Sequence, residues 1–115
     1  MNRLAAASIL LAFGACSVTE PVVMIGENGQ IMRGTTTASL SGGTFTVSDG
    51  KVSCGGNYNA MDTSVTLSIV ALCTDGHKAI ILVTRDASGL SGSGTVRRDD
   101  GKTGTFMFGE AARGL

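Results

Sequence analysis

The segment Val65-Thr-Leu-Ser-Ile-Val-Ala-Leu-Cys73-Thr-Asp75-Gly76-His77-Lys-Ala-Ile80-Ile-Leu-Val-Thr-Arg85 decides the fold class. Val65, Leu67, Ile69, Ala71 and Cys73 recur at every second position, which places their side chains on one face of a β-strand. Asp75-Gly76 follows at once. An Asp-Gly pair between apolar runs signals a hairpin, because both residues can take positive φ. A two-residue loop there pairs Ala71 with Ile80 and Ile69 with Leu82. Val70, Leu72, Ile81 and Val83 then share the opposite face. This predicts a hairpin that is apolar on both sides, either buried twice or backed by a second sheet.

The same punctuation recurs outward from this segment, at Asn28-Gly29, Asp49-Gly50 and Asp100-Gly101. Around Asp49-Gly50 a two-residue loop pairs Val47 with Val52 and Phe45 with Cys54, all on one face. At Asp100-Gly101 a two-residue loop throws the faces out of phase. A three-residue loop, Asp99 to Gly101, instead pairs Gly94 with Phe106 and Gly92 with Phe108, with Gly101 in the left-handed position of a bulged hairpin. A ring opposite a strand glycine covers the space the glycine leaves. Asp86-Ala-Ser-Gly89 reads as another turn and Asn59–Ser64 as the longest loop. With 17 glycines, 1 proline and polar stretches built from Thr and Ser, the chain favours strands over helices. The expected fold is all-β: a small antiparallel meander, barrel or sandwich, of about seven or eight strands.

The N-terminus reads differently. Met1-Asn-Arg3 is a short positive start, Leu4–Ala12 is apolar, and Phe13-Gly14-Ala15-Cys16 ends the run in small residues before a cysteine. An apolar core of roughly 7–15 residues after a positive start is the size of a secretory signal, whereas a membrane-spanning helix needs about 20. Phe13-Gly14-Ala15-Cys16 resembles the lipobox of bacterial lipoprotein precursors, with Phe where that family prefers Leu. The resemblance implies cleavage before Cys16 and attachment of acyl chains such as palmitate to it. It also implies a cell-envelope address. Ser17, in place of the Asp that retains such proteins in the inner membrane of enteric bacteria, points to the outer membrane facing the periplasm. The expected organisation is a signal peptide over 1–15, a lipidated cysteine and tether over 16–21, and a single β domain over 22–115.

Assigning Cys16 to lipid leaves Cys54 and Cys73. An even pair in an exported chain reads as a disulfide, and both residues fall on apolar strand faces. Closing that loop of about 20 residues contributes roughly 3 kcal/mol. Free or metal-binding thiols are the alternative, although two cysteines and the distant His77 fall short of a zinc ligand set.

Nine bases balance nine acids, and Arg97-Arg98 is followed directly by Asp99-Asp100. This argues against nucleic acid, which needs a basic face. His77, the one histidine, is expected as an exposed hairpin residue. Ser91-Gly-Ser-Gly94 lacks the strand-to-helix turn of a nucleophile elbow or a phosphate loop. Asp99-Asp100 offers too few oxygens for calcium and reads as turn chemistry. Cys54-Gly-Gly-Asn-Tyr58 is expected to carry a bulge at Gly55-Gly56, with Tyr58 packing at the core rim; a ligand-contact edge is the functional alternative.

The order Gly43-Thr-Phe45, Cys54-Gly-Gly-x-Tyr58, Cys73-Thr-Asp-Gly76, Ser91-Gly-Ser-Gly-Thr95 and Phe106-x-Phe-Gly109 resembles small uncharacterised lipoproteins of alphaproteobacteria. That resemblance implies export and a β domain and carries no catalytic residue. The expected function is therefore a non-enzymatic structural or interaction role at the envelope. The membrane would be reached through the lipid anchor, with an envelope protein as possible partner and no cofactor. The alternative is a periplasmic inhibitor or small-ligand-binding lipoprotein, similar in size and anchor to lysozyme inhibitors.

Overall fold

A computed structural model describes residues 17–115. The segment 1–15, expected as a signal peptide, and Cys16 lie outside the described residues. Eight strands follow one another: β1 (Val18–Gly26), β2 (Ile31–Ser39), β3 (Gly42–Ser48), β4 (Ser53–Tyr58), β5 (Thr66–Cys73), β6 (Lys78–Arg85), β7 (Gly92–Arg98) and β8 (Thr103–Phe108), with a 3-10 turn at Gly109–Ala111. Each strand pairs antiparallel with its neighbour in sequence. β8 pairs back onto β1, from Val22↔Phe108 to Gly26↔Gly104, so the sheet is a closed up-and-down barrel. Of the two architectures the sequence allows, the barrel is the one adopted.

The hairpin turns set the register, and here the structure corrects two pairings. The β5–β6 connection is a three-residue loop, Thr74–Gly76, closed by Cys73 N–H to His77 O (2.9 Å) and Gly76 N–H to Cys73 O (3.0 Å). Ile69 therefore faces Ile81, and Ala71 faces Ala79. The pairing is one residue away from the two-residue expectation, so β6 turns over: Ala79, Ile81 and Val83 enter the core, while Ile80 and Leu82 stand outside. The cause is backbone conformation. A two-residue type I′ turn needs positive φ at Asp75 as well as Gly76. Among the described residues only glycines have positive φ, Gly76 at 89° included. The three-residue loop asks this of Gly76 alone. Gly29 (83°) and Gly101 (89°) close the β1–β2 and β7–β8 turns in the same way, and β7–β8 has the register expected, Gly94↔Phe106 and Gly92↔Phe108.

At β3–β4 the connection has four residues, Asp49–Val52. The Asp49 Oδ1 atom accepts from Lys51 N–H and Val52 N–H, both at 2.8 Å. Val47 pairs with Cys54 and Phe45 with Gly56. This shift of two residues keeps the faces, and Phe45, Val47 and Cys54 are all buried. The β3–β4 ladder runs unbroken from Gly43↔Tyr58 to Ser48↔Ser53, so Gly55-Gly56 is no bulge. Gly56 instead lets the β5 backbone close in: a Cβ there would stand 2.5 Å from the Val70 carbonyl oxygen.

The expected tether is also shorter than 16–21, since β1 begins at Val18. Val18–Pro21 pair with β2 alone, because β8 joins only from Val22. Pro21, which has no N–H to give, thus sits where β1 is an edge and loses no ladder bond.

The interior is apolar, centred on Phe45 and Phe106, whose rings meet edge to face with centroids 5.5 Å apart. Neighbouring strands run close to two of the glycines. A Cβ on Gly34 or Gly94 would lie 1.7 Å from a neighbouring carbonyl oxygen, that of Thr46 or Leu82, so only glycine fits there. Outward positions carry mostly Thr, Ser, Arg and Lys, the reverse of a membrane-embedded barrel, whose apolar band faces out. The exceptions are Val18 and Ile31 and, above all, the β5–β6 patch of Val70, Leu72, Ile80 and Leu82, all exposed. Only half of the patch is the second face read from the sequence: Val70 and Leu72 are on it, but Ile80 and Leu82 take the places expected of Ile81 and Val83. Neither a second sheet nor another strand layer among the described residues covers it.

Candidate functional site

Strand alternation gives the barrel two unlike ends. The tight turns at residues 27–30, 49–52, 74–77 and 99–102 gather at one end, called the turn end. The β2–β3, β4–β5 and β6–β7 connections, the start of β1 and the tail after β8 gather at the other, the loop end.

At the turn end the barrel opens into a cup of about 220 Å³. Met24, Met32, Val52, Ala79 and Val96 form its apolar wall, and the Cys54–Cys73 disulfide lies in that wall. The two cysteines face each other directly across β4 and β5, with sulfurs 2.03 Å apart. Only Cys54↔Cys73 and Gly55↔Leu72 pair along this seam, against seven positions between β5 and β6. The disulfide thus closes the barrel where the ladder is shortest.

The rim is charged, and its acids are engaged by neighbouring backbone and side chains. Asp99 accepts from Lys78 N–H (3.0 Å) and from His77 Nδ1 (2.7 Å), which ties the β7–β8 turn to the start of β6. These contacts, the Lys78 N–H first, hold its carboxyl below the usual carboxylate range. Asp100 takes a two-pronged hydrogen bond from the Arg98 guanidinium and another from Lys102 N–H (3.1 Å). The guanidinium holds Asp100 far below its ordinary value. Val52 and Lys51 N–H lower Asp49, which also accepts from the Gln30 amide. Glu27 accepts from the Thr103 N–H and hydroxyl, both at 3.1 Å.

A smaller cavity of about 100 Å³ lies toward the loop end, beyond the Phe45–Phe106 contact. Tyr58 lines it, half-buried against the core as expected. Its hydroxyl shares a 2.7 Å hydrogen bond with the Thr36 hydroxyl. The Arg85 guanidinium donates to the backbone carbonyls of Asp62 (2.8 Å) and Ser64 and so pins the β4–β5 loop. The Ser91 hydroxyl donates to Phe108 O (3.2 Å) and accepts from Ala111 N–H (3.0 Å), fixing the tail. Arg113 pairs with Glu20 and Glu110, each at 2.8 Å.

The sequence-derived candidates separate accordingly. Cys54 and Cys73 meet. Asp99-Asp100 serves its own turn and its neighbour. Ser91 is structural. His77 stands at the rim on Asp99 and lines neither cavity. Among the described residues no group of three or more His, Cys, Asp or Glu is placed to hold a metal ion. The His77–Asp99 clasp and the Arg85 anchor were missed in sequence, because both join residues across turns whose register had first to be known.

No protein family and no curated protein matches the sequence. Among solved structures the chain is similar to a redesigned β-barrel, with a TM-score of 0.59 at 19% identity, over 86% of this chain and 94% of that one. The class of protein is thus a small closed β-barrel, and the likeness extends to the fold alone.

Proposed function

We propose that this chain is a non-enzymatic lipoprotein of the cell envelope, a disulfide-closed β-barrel held at a membrane by acyl chains on Cys16. The observation that carries the reading is the small-residue run Gly14-Ala15-Cys16 closing a signal-sized apolar segment immediately before β1 begins at Val18. The cross-strand Cys54–Cys73 pair supports an oxidising compartment. An apolar interior with a polar wall supports a barrel that stands beside the bilayer rather than within it. Growth with a labelled fatty acid tests this. Label should enter the wild-type chain and be lost from Cys16→Ser, which should leave the membrane fraction; a Cys16→Ser chain that stays labelled contradicts the reading.

The cup favours a second reading, small-ligand binding. Its volume of about 220 Å³ lies below the 300–1,000 Å³ usual for drug-sized ligands, so it suits an apolar side group rather than a whole large molecule. Titration with a fluorescent fatty acid tests it: Val96→Trp, which fills the cup, should abolish the signal, and an unchanged signal rules the cup out. Inhibition of lysozyme in solution tests the inhibitor version.

A further inference from the structure

We propose that the loop end of the barrel is a lipid-docking face, resting its loop tips in the same leaflet that holds the Cys16 acyl chains. This rests on the lipid-anchor reading above. Leu40, Met61 and Leu90 are 75%, 62% and 50% exposed. They sit on three different connections, β2–β3, β4–β5 and β6–β7, and the alternation of strands brings all three to one end of the barrel. The opposite end presents Glu27, Asn28, Asp49, Lys51, Asp99 and Lys102 in the corresponding places.

The chain's own path names the occupant. β1 starts at the loop end, and Ser17 alone separates Val18 from Cys16. Two trans peptide steps span about 7 Å. Nine residues of β1 extend about 30 Å to the turn end. An acyl anchor at Cys16 therefore holds the loop end at the headgroups and leaves the turn end a barrel length away. Apolar tips would be costly in water and favourable in the headgroup–acyl boundary, which is about 5–10 Å deep.

The acids Glu20, Asp62, Asp86 and Glu110 outnumber the bases Arg85 and Arg113 at the loop end, so it offers anionic lipid no attraction. Arg113 is paired with Glu20 and Glu110, and the Arg85 guanidinium is given to backbone carbonyls. Docking is therefore apolar in origin, should proceed on uncharged lipid and should change little with salt. The cup, at the far end, is left facing the aqueous compartment.

The test uses the protein as purified from cell membranes, reconstituted in phosphatidylcholine vesicles that carry a headgroup spin label. Amide resonances of Ser41, Asp62 and Gly89 should broaden strongly, and those of Gly29, Gly50, Gly76 and Gly101 should keep their intensity. In Leu40→Asn/Met61→Asn/Leu90→Asn the barrel should fold as before and remain vesicle-bound, and the loop-end broadening should fall at least several-fold. Broadening at the turn end, uniform broadening, or an unchanged profile in the triple variant overturns the docking face. The intact mass of the same sample reports the anchor separately. An unacylated chain that still broadens at the loop tips would sink the anchor and keep the docking face, whereas an acylated chain with a flat profile would do the reverse.

Discussion

The two ends of this barrel are built from opposite materials. At the turn end, connections of three or four residues are fixed by glycines in the left-handed region and by aspartates that cap nearby N–H groups. At the loop end the longest connection, between Tyr58 and Thr66, follows the seam with the fewest ladder bonds, and large apolar side chains project outward. The turn end is fixed by local chemistry, and the loop end by a few long-range clasps from Arg85, Ser91 and Arg113. The turn end is thus held by many short contacts within and between turns, and the loop end by a few contacts between residues far apart in sequence.

The largest expected effect removes the partition between the ends. Phe106 is buried against Phe45, and Phe106→Ala should cost about 3–5 kcal/mol, measured from the urea midpoint, because the two cavities would merge. Next is the seam. Replacing both Cys54 and Cys73 with Ala, 19 residues apart, should cost about 3 kcal/mol. Hydrogen exchange should then quicken first at Ser53 and Thr74, whose amides bond across the β4–β5 seam. Equal acceleration in β7 and β8 would mean that the disulfide supports the whole barrel rather than its turn end.

Acid should separate the ends more gently. Asp49, Asp99 and Asp100 titrate lower when folded than when unfolded. Their contribution is therefore complete above about pH 4, the unfolded value, and is lost as pH falls through the lowered folded values. Amides of Lys51, Val52, Lys78 and Lys102 should lose protection over that range, earlier than those of Phe45 or Ile81. The smallest effect on stability is expected from Leu40→Asn, within about 0.5 kcal/mol, since the side chain is exposed. A loss well beyond that would mean that Leu40 supports the barrel instead of a lipid contact.

Much of this architecture is legible in the sequence. The alternation from Val65 to Cys73 and the repeated Asx-Gly pairs lead to an antiparallel meander, and the Gly94–Phe106 pairing follows from matching ring to glycine. What is not legible is loop length. Asp75-Gly76 serves a two-residue or a three-residue turn equally well on paper, and the choice decides whether Ile80 or Ile81 enters the core. It is made by the refusal of Asp75 to take positive φ, a backbone fact that composition does not carry. Closure is not legible either, because β1 and β8 pair across the length of the domain, where no turn motif sets their register. The two clasps at His77–Asp99 and Arg85 follow from register, so they became visible only with it.

The most direct test of a lipid-anchored, disulfide-closed barrel is the intact mass of the chain isolated from cell membranes, before and after reduction. The account predicts a chain that starts at Cys16, carries the added mass of acyl chains, and gains only the hydrogens of one opened disulfide between Cys54 and Cys73. A chain that retains residues 1–15, or that starts elsewhere without added lipid, would contradict it.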